Sequence, residues 1–285
     1  MTKQRIITAL ILLAILLPAL FYTGSGMPFT VVILAFMAAG AWEWGRLNGL
    51  GAAGSVATGV VCLALCLCAW ALGWLDRPLP LLWLAAGAAW VLGGALLLRA
   101  GVPGWAQVPR LVRLPGGVLA LWVAWIAVVQ AHAVGVNFLL SMLVLVWVAD
   151  VFAYFAGRSL GLKFTRNKLA PSISPGKSWE GAWGGMLGVV AVALLWSALD
   201  RHYGAAVPSF YSVLQTRGTW FLVLAVVFMA AMSVVGDLVE SLIKRSVGVK
   251  DSSGLLPGHG GVLDRIDALL PTLPLAMMLT SLVHP

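Results

Sequence analysis

Long apolar runs separated by short polar breaks dominate the chain. Each run lasts about 17–25 residues, the length that an α-helix needs to cross the hydrocarbon core of a bilayer. Membrane-spanning β-strands would instead alternate apolar and polar residues over about 10 positions. The pattern therefore predicts an all-α polytopic integral membrane protein with about nine transmembrane helices. We predict these helices near residues 6–22, 29–45, 56–75, 79–98, 116–135, 138–157, 181–199, 219–243 and 266–283.

The composition excludes two other classes of protein. Hydrophobic residues make up 61% of the 285 residues and charged residues 10%, with a mean hydropathy of +0.98. A soluble domain carries about 25% charged residues, so this chain cannot cover a water-exposed surface. Disordered chains have low hydrophobicity, so disorder is excluded as well.

The basic residues predict an orientation. The chain has 18 Lys and Arg against 10 Asp and Glu, for a net charge of +8. If the N-terminus is cytoplasmic, fifteen basic residues fall in cytoplasmic segments, and only Arg77, Arg201 and Arg217 fall outside. This bias follows the positive-inside rule and predicts a cytoplasmic N-terminus. No basic stripe is long enough for DNA, so we expect no nucleic-acid partner.

The acidic residues divide the chain unevenly. Only two of the ten, Glu43 and Asp76, precede position 150. We therefore predict that residues 1–140 form an N-terminal scaffold of transmembrane helices. Residues 141–285 are expected to form the catalytic region, with the active site on its cytoplasmic side, inside a single integral membrane unit.

One polar face lies at the cytoplasmic end of a long apolar run. On a helix, Asp237, Glu240, Ser241 and Lys244 are spaced i, i+3, i+4 and i+7 and share that face. An acid at membrane depth costs about 2.5–3.5 kcal/mol, so it is normally functional or paired. The alternative is an internal Glu240–Lys244 ion pair that holds helices together, but it leaves Asp237 without a partner.

A glycine-rich segment follows this helix. Gly258, Gly260 and Gly261 let the backbone approach a ligand closely, and glycine-rich loops that lead into a helix present N–H groups to phosphate. Asp264 and Asp267 share one face of the next helix, where carboxylates can hold a hard cation such as Mg²⁺. With nearby basic residues, this pattern suggests metal-assisted chemistry on phosphates. An ordinary cytoplasmic loop would explain the basic residues but not the glycines and acids. The basic residues on this side are Lys244, Arg245, Lys250 and Arg265.

A Gly-Lys-Ser tripeptide at 176–178 is the third candidate. A Walker A motif requires a glycine five positions earlier, where this chain has a proline, so we reject that interpretation. Lys177 with the hydroxyls of Ser174 and Ser178 still predicts a phosphate-binding corner at a helix start. Glu180 does not complete a capping box with Ser178, so we expect it to have another partner.

Asp150 lies inside an apolar run, one turn before Tyr154. It would neutralise a cation in the site or line a proton path. A cation-coupled transporter with Asp150, Asp237 and Glu240 as ion ligands is one alternative. That class predicts inverted repeats, which we do not find, and it leaves the loop around His259 unexplained. A non-catalytic membrane assembly factor is the second alternative.

Residues 241–267 read Ser-x-Ile-Lys-Arg-x4-Lys-Asp-x-Ser-x2-Leu-Pro-x-His-Gly-Gly-Val-x-Asp-Arg-Ile-Asp. This segment resembles the signature of the phosphatidate cytidylyltransferases, also called CDP-diacylglycerol synthases, over 27 consecutive positions without a departure. The segments Asp150-x-x-Ala-Tyr and Ser174-Pro-x-Lys-Ser-x-Glu-Gly resemble the same family. Residues 1–140 match it only in general hydrophobicity.

The resemblance implies an Mg²⁺-dependent nucleotidyltransferase that converts CTP and phosphatidate into CDP-diacylglycerol and pyrophosphate in phospholipid biosynthesis. It also implies a homodimer in the lipid of a bacterial inner (cell) membrane, with the active site facing the cytoplasm. We expect Asp237, Asp264 and Asp267 to hold Mg²⁺, and a monovalent cation such as K⁺ beside it stays open. The predicted catalytic residues are Lys177, Lys244, Arg245, Lys250, Asp251, His259 and Arg265. The predicted substrate-binding residues are Ser174, Ser178, Gly258, Gly260, Gly261, Asp150, Glu180 and Glu240.

Overall fold

The computed structural model describes residues 2–22, 24 and 26–283, and this part of the chain is a bundle of α-helices. Within it, nine helical segments are long and apolar enough to cross a membrane, which confirms the predicted all-α membrane architecture. The described residues form no strand; their β contacts are two isolated bridges, Ala170–Ser174 and Leu256–Gly260. Residues 284 and 285, the end of the predicted catalytic region, lie outside the described residues.

Short connections join the helices in chain order. They are α1 (Thr2–Phe21), α2 (Met27–Leu47), α3 (Ala52–Ala71), α4 (Pro80–Ala88), α5 (Gly94–Gln107), α6 (Arg110–Val134), α7 (Val136–Leu160), α8 (Trp179–Tyr203), α9 (Phe210–Gln215), α10 (Thr219–Ser246), α11 (Leu263–Ile266) and α12 (Leu269–Val283).

The fourth span extends well beyond the predicted end at residue 98. Five π-helical residues, Ala89–Gly93, join α4 to α5, so the span covers Pro80–Gln107. Gly101 interrupts it with a φ of 67°, two residues before Pro103. A left-handed φ is readily available to glycine, so the chain bends there and the helix resumes. The short helix α9 is a second element that the apolar runs did not predict.

One end of the bundle collects the loops rich in basic residues, and we call it the basic end. Arg5 on α1 donates to the Gly258 carbonyl (3.0 Å), which joins the start of α1 to the loop before α11. Arg245 near the end of α10 donates to the Ile173 carbonyl (3.4 Å) in the loop before α8. The connections 48–51, 108–109, 161–178 and 247–262 lie at this end.

The opposite end, the far end, carries the three basic residues that the charge pattern placed outside. Gln130 at the end of α6 donates to the Arg77 carbonyl (2.8 Å). Arg201 contacts Gln215, and Arg217 donates to the Val283 carbonyl (3.1 Å) at the end of α12. The two groups of basic residues that the charge pattern separated therefore lie at opposite ends of the bundle.

Helices α7 and α8 approach each other closely because α8 presents glycines to α7. A Cβ on Gly185 would lie 2.7 Å from the Ala149 carbonyl oxygen, and one on Gly181 would lie 3.0 Å from the Ala153 carbonyl oxygen. Small residues of this kind allow backbones in a membrane bundle to pack directly. The close approach places the start of α8 beside the second half of α7.

We expect Gly185→Ala to destabilise this helix pair, because the added methyl group has no space and one backbone must shift. Overpacking of this kind costs about 1–3 kcal/mol. The measurement is the unfolding midpoint of the purified protein in mild detergent titrated with a denaturing one. Gly93→Ala is the matched control, since a Cβ there meets nothing within 4 Å. Equal midpoints for the two variants would contradict the close packing of α7 on α8.

Candidate active site

A cavity of about 630 Å³ lies between α7, α8 and α10 at the basic end. Binding pockets for small molecules typically measure about 300–1,000 Å³, so its size suits a nucleotide or a lipid head group. Of the residues that the sequence singled out, the cavity is lined by Asp150, Tyr154, Lys177, Ser178 and Asp237. The other lining residues are Ala153, Gly157, Arg158, Leu169, Gly176, Gly181, Ala182 and Val234.

Turns before α8 place Lys177 and Ser178 at the cavity. The Lys177 N–H donates to the Ser174 carbonyl (3.1 Å), and the Lys177 carbonyl accepts from the Leu169 N–H (3.1 Å). Ser178 is the N-cap of α8, and its Oγ accepts from the Gly181 N–H (3.1 Å). The predicted corner at a helix start is therefore present, with Ser178 as a simple cap.

Lys177 and Asp237 form an ion pair across the cavity, with 2.5 Å between Nζ and Oδ2. Their side chains remain 25% and 31% exposed. Asp237 also accepts from the Ser241 Oγ (3.2 Å) one turn along α10. The partner that Asp237 lacked in the sequence thus comes from the loop before α8. Because the pair is partly exposed, both charges remain accessible to a bound phosphate or cation.

A second charge cluster is more deeply buried. Lys244 pairs with Glu240 one turn earlier on α10, and its Nζ lies 2.5 Å from the Asp264 Oδ1. The internal Glu240–Lys244 pair, the structural alternative at this face, is present in the fold. It extends to Asp264 and so connects α10 to α11.

Asp264 also holds the glycine-rich loop. Its Oδ2 accepts from the Ser252 N–H (2.9 Å), the Ser252 Oγ (2.9 Å) and the Gly261 N–H (2.7 Å). The φ values of 77° at Gly258 and 81° at Gly260 give the tight turn that brings these groups together. The sequence analysis interpreted the N–H groups of this loop as donors to phosphate. At least one of them, that of Gly261, instead donates to a protein carboxylate.

Glu43 is a site residue that the sequence analysis placed in the scaffold. It is 0% exposed, and its carboxylate accepts from the hydroxyls of Ser252 and Ser253 and from the N–H groups of Val262 and Leu263. The rule that an acid inside an apolar run needs a partner, which we applied to Asp237, would have singled it out. No spacing in the sequence indicated which partners it has.

Glu180 accepts hydrogen bonds from the loop between α7 and α8, which confirms the expectation that its partner is not Ser178. Its Oε1 accepts from the Phe164 N–H (3.1 Å), the Thr165 N–H (2.7 Å) and the Thr165 Oγ1 (2.8 Å). Glu180 is 3% exposed, and its Oε2 is buried without a hydrogen-bond partner in the described structure. The side chain therefore fixes the loop between α7 and α8 and does not line the cavity.

The remaining predicted residues lie around the two clusters. Arg245, Lys250, Asp251 and Arg265 are exposed, and across residues 2–22, 24 and 26–283 none of them forms an ion pair. The His259 Nδ1 is buried without a partner in that same part of the chain. These residues do not line the cavity, nor do Ser174, Glu240, Asp264, Asp267 and the three loop glycines Gly258, Gly260 and Gly261.

Five carboxylates lie in or beside the two ion-pair clusters, and two ammonium groups pair with three of them. The carboxylate of Asp267 lies near those of Asp237 and Asp150. Among the described residues, no three His, Cys, Asp or Glu side chains form a cluster that could hold a metal ion by themselves. Mg²⁺ is usually bound by one or two carboxylates completed by substrate phosphates, so this donor set fits Mg²⁺ together with a nucleotide. The five carboxylates are Asp150, Asp237, Glu240, Asp264 and Asp267, and the two ammonium groups are those of Lys177 and Lys244.

The transporter alternative requires Asp150, Asp237 and Glu240 to converge on one ion. Instead Asp237 is paired with Lys177, and Glu240 is paired with Lys244 in a separate cluster. The geometry therefore gives that alternative no support.

Comparison with known proteins gives matches along the full length of the chain. The model of the cytidylyltransferase family matches residues 3–283. The likeness therefore includes residues 3–140, where the sequence analysis found only general hydrophobicity. The phosphatidate cytidylyltransferase of Pseudomonas aeruginosa is 39% identical over 282 residues, covering 96% of this chain and 95% of that protein. The enzyme of the same name from Haemophilus influenzae is 35% identical over 297 residues, covering 96% of each. The chain therefore belongs to the cytidylyltransferase family.

Proposed function

We propose that the protein is a phosphatidate cytidylyltransferase, which transfers CMP from CTP to phosphatidate and releases pyrophosphate. The CDP-diacylglycerol formed enters phospholipid biosynthesis. Family membership and the names of the full-length relatives support this function. The structural observation that carries it is the partly exposed Lys177–Asp237 pair, which lies in a nucleotide-sized cavity at one end of a membrane bundle.

The reaction needs positioning and charge neutralisation more than proton transfer. An oxygen of the lipid phosphate attacks the α-phosphorus of CTP, and the bond from the α-phosphorus to the bridging oxygen breaks as pyrophosphate leaves. The attacking phosphate is already ionised, so no strong general base is required. Both reactants are anions, and most of the rate must come from holding them together in a preorganised field.

Lys177 and Ser178 are the groups best placed to act on these phosphates. Lys177 brings an ammonium group into the cavity, where it neutralises phosphate oxygens. The Ser178 Oγ accepts from the Gly181 N–H, so its own hydrogen is left to donate to a phosphate oxygen. The two neighbours would thus orient one phosphate group from the start of α8.

Mg²⁺ is proposed at Asp237, with substrate phosphates completing its coordination, where it would neutralise phosphate oxygens and polarise the α-phosphoryl group. Asp264 and Asp267 stay predicted ligands, although within the described residues the three carboxylates do not form one metal-binding group. The partly exposed Asp237 carboxylate in the cavity supports this proposal. A monovalent cation such as K⁺ beside Mg²⁺ stays a prediction from the sequence.

The basic end is proposed to face the cytoplasm of a bacterial inner membrane. The concentration of basic residues at that end supports the orientation, and the bacterial source of the relatives supports the location. The lipid tails of phosphatidate would stay in the bilayer while its head group meets CTP at this end. The resemblance to the family supports a homodimer.

The first test supplies phosphatidate, radiolabelled CTP and Mg²⁺ to the purified protein. We expect CDP-diacylglycerol and pyrophosphate in equal amounts, and no product after chelation of the metal.

Asp237→Asn should raise the Mg²⁺ concentration for half-maximal rate by at least about tenfold, because a hard-cation ligand is lost. Asp76→Asn at the far end is the control. Absence of labelled lipid would contradict the function, whereas an unchanged Mg²⁺ response would contradict only the role of Asp237.

Steady-state kinetics on Lys177 variants test its contact with substrate. Lys177→Ala removes a charge-assisted contact worth about 1.5–3 kcal/mol, so kcat/KM should fall about 10- to 150-fold. Lys177→Arg should not restore it, because a planar guanidinium does not replace a compact ammonium. Lys163→Ala removes an exposed lysine from the same loop and should have no effect. If Lys177 serves only membrane orientation, Arg will substitute fully.

Cysteine labelling in intact cells tests the orientation. Ser172→Cys and Gly254→Cys place thiols at exposed positions of the basic end, and Ala206→Cys places one at an exposed position of the far end. A membrane-impermeant reagent should label the far-end cysteine and leave the two basic-end cysteines unlabelled. The parent chain, with its own Cys68, measures the background. Outside labelling of both basic-end thiols would reverse the proposed orientation.

A further inference from the structure

Glu43 makes an unusual set of contacts for a residue of the second helix. Its Oε1 accepts from the Ser253 Oγ (2.5 Å) and the Val262 N–H (2.9 Å). Its Oε2 accepts from the Ser252 Oγ (3.1 Å) and the Leu263 N–H (2.8 Å). All four donors belong to residues 252–263, the glycine-rich loop and the first residue of α11.

These four hydrogen bonds take the place of a counter-ion. Within the described structure no Lys, Arg or His forms an ion pair with Glu43. A buried carboxylate without a counter-ion has to be stabilised by hydrogen-bond donors, and this carboxylate has four within reach. One of them, the Ser252 hydroxyl, shares its single hydrogen between Glu43 and Asp264. Two donors come from the start of the loop and two from its end, so one side chain closes the loop on itself.

Ser252 connects Glu43 to the acids of the proposed site. Its Oγ lies 3.1 Å from the Glu43 Oε2 and 2.9 Å from the Asp264 Oδ2. A Cβ on Gly261 would overlap both the Ser252 Oγ and the Glu43 Oε1, so the arrangement has no spare space. A displacement of the Glu43 carboxylate therefore reaches Asp264 through one shared hydroxyl.

Helix α1 holds the middle of the same loop. Arg5 donates to the Gly258 carbonyl (3.0 Å), and the Thr8 Oγ1 donates to the Pro257 carbonyl (2.9 Å). The loop is thus fixed at both ends by α2 and at its centre by α1.

We propose that Glu43 is a positioning residue of the transferase, which acts through the 252–263 loop to keep Asp264 and its partner Lys244 in place. It does not touch substrate. The role of the loop in catalysis rests on the proposed function, whereas the hold of Glu43 on the loop rests on the contacts alone.

Glu43→Gln tests this proposal with little change in size. The amide keeps one acceptor oxygen but turns an NH₂ group toward hydrogen-bond donors, so at least one of the four donors loses its acceptor. We expect kcat/KM per folded molecule to fall by about tenfold or more. Hydrogen–deuterium exchange in peptides covering 252–263 should accelerate by about tenfold or more, while exchange in the centre of α10 stays at the wild-type rate.

Asp200→Asn is the matched control at the far end. Asp200 accepts from the Asn137 side chain, the Ser209 N–H and the Ser212 Oγ, so this half-buried carboxylate, like the fully buried Glu43, is held by hydrogen bonds. Its substitution should lower the unfolding midpoint but leave both kcat/KM per folded molecule and exchange of the 252–263 peptides unchanged. The control thus separates general destabilisation from loss of positioning.

Ser253→Ala provides a milder variant in case Glu43→Gln does not fold. Ser253 donates to Glu43, its Oγ also accepts from the Leu255 N–H (3.0 Å), and within the described structure it forms no hydrogen bond with Asp264. Its loss removes one donor to Glu43, and exchange of peptides covering 258–263, which exclude the Leu255 N–H, should still accelerate about tenfold. Wild-type kcat/KM in folded Glu43→Gln, or unchanged loop exchange in Ser253→Ala, would overturn the proposal. If the wild-type protein makes no CDP-diacylglycerol, the proposed function fails, and the exchange measurements still decide whether Glu43 holds the loop.

Discussion

An ionised carboxylate inside an apolar bundle has to find a cation or several hydrogen-bond donors, because the surrounding side chains and lipid offer neither. Three acids at the basic end meet this requirement with partners from a different part of the chain. Asp237 pairs with Lys177, and Asp264 pairs with Lys244. Glu43 collects four donors from the loop before α11. These pairings convert segments that are distant in sequence into one connected site.

The sequence was sufficient to predict the helices because the length of an apolar run reports directly on bilayer thickness. It also contained the Glu240–Lys244 contact, since residues four apart on a helix lie on one face. It missed the extension of the fourth span to Gln107, because residues 99–107 include Arg99, Gly101 and Pro103, which normally end a helix. The structure bends there and continues.

The candidate site could be predicted only in part, because its contacts join segments that are distant in the sequence. Lys177 and Asp237 were each singled out, but their pairing depends on how α8 and α10 pack, which no local spacing reports. The glycines before α11 were interpreted as a surface for phosphate. In the fold, Gly261 leaves no space for a side chain because protein groups, the Ser252 hydroxyl and the Glu43 carboxylate, fill it. A glycine required for close approach does not by itself reveal what approaches.

The Glu43 contacts also bear on how freely the two parts of the chain can be exchanged between relatives. Residues 1–140 contain no motif that identifies the family by itself, which would suggest that any set of apolar helices serves in that position, although the family model extends over residues 3–283. A chimera built on this assumption would carry the loop of one protein against the second helix of another. It would keep an ordered loop only if a glutamate came with its two serine partners, Ser252 and Ser253, and the matching backbone turn. One carboxylate thus couples the N-terminal helices to the segment that carries the family signature, so the two parts have to be inherited together.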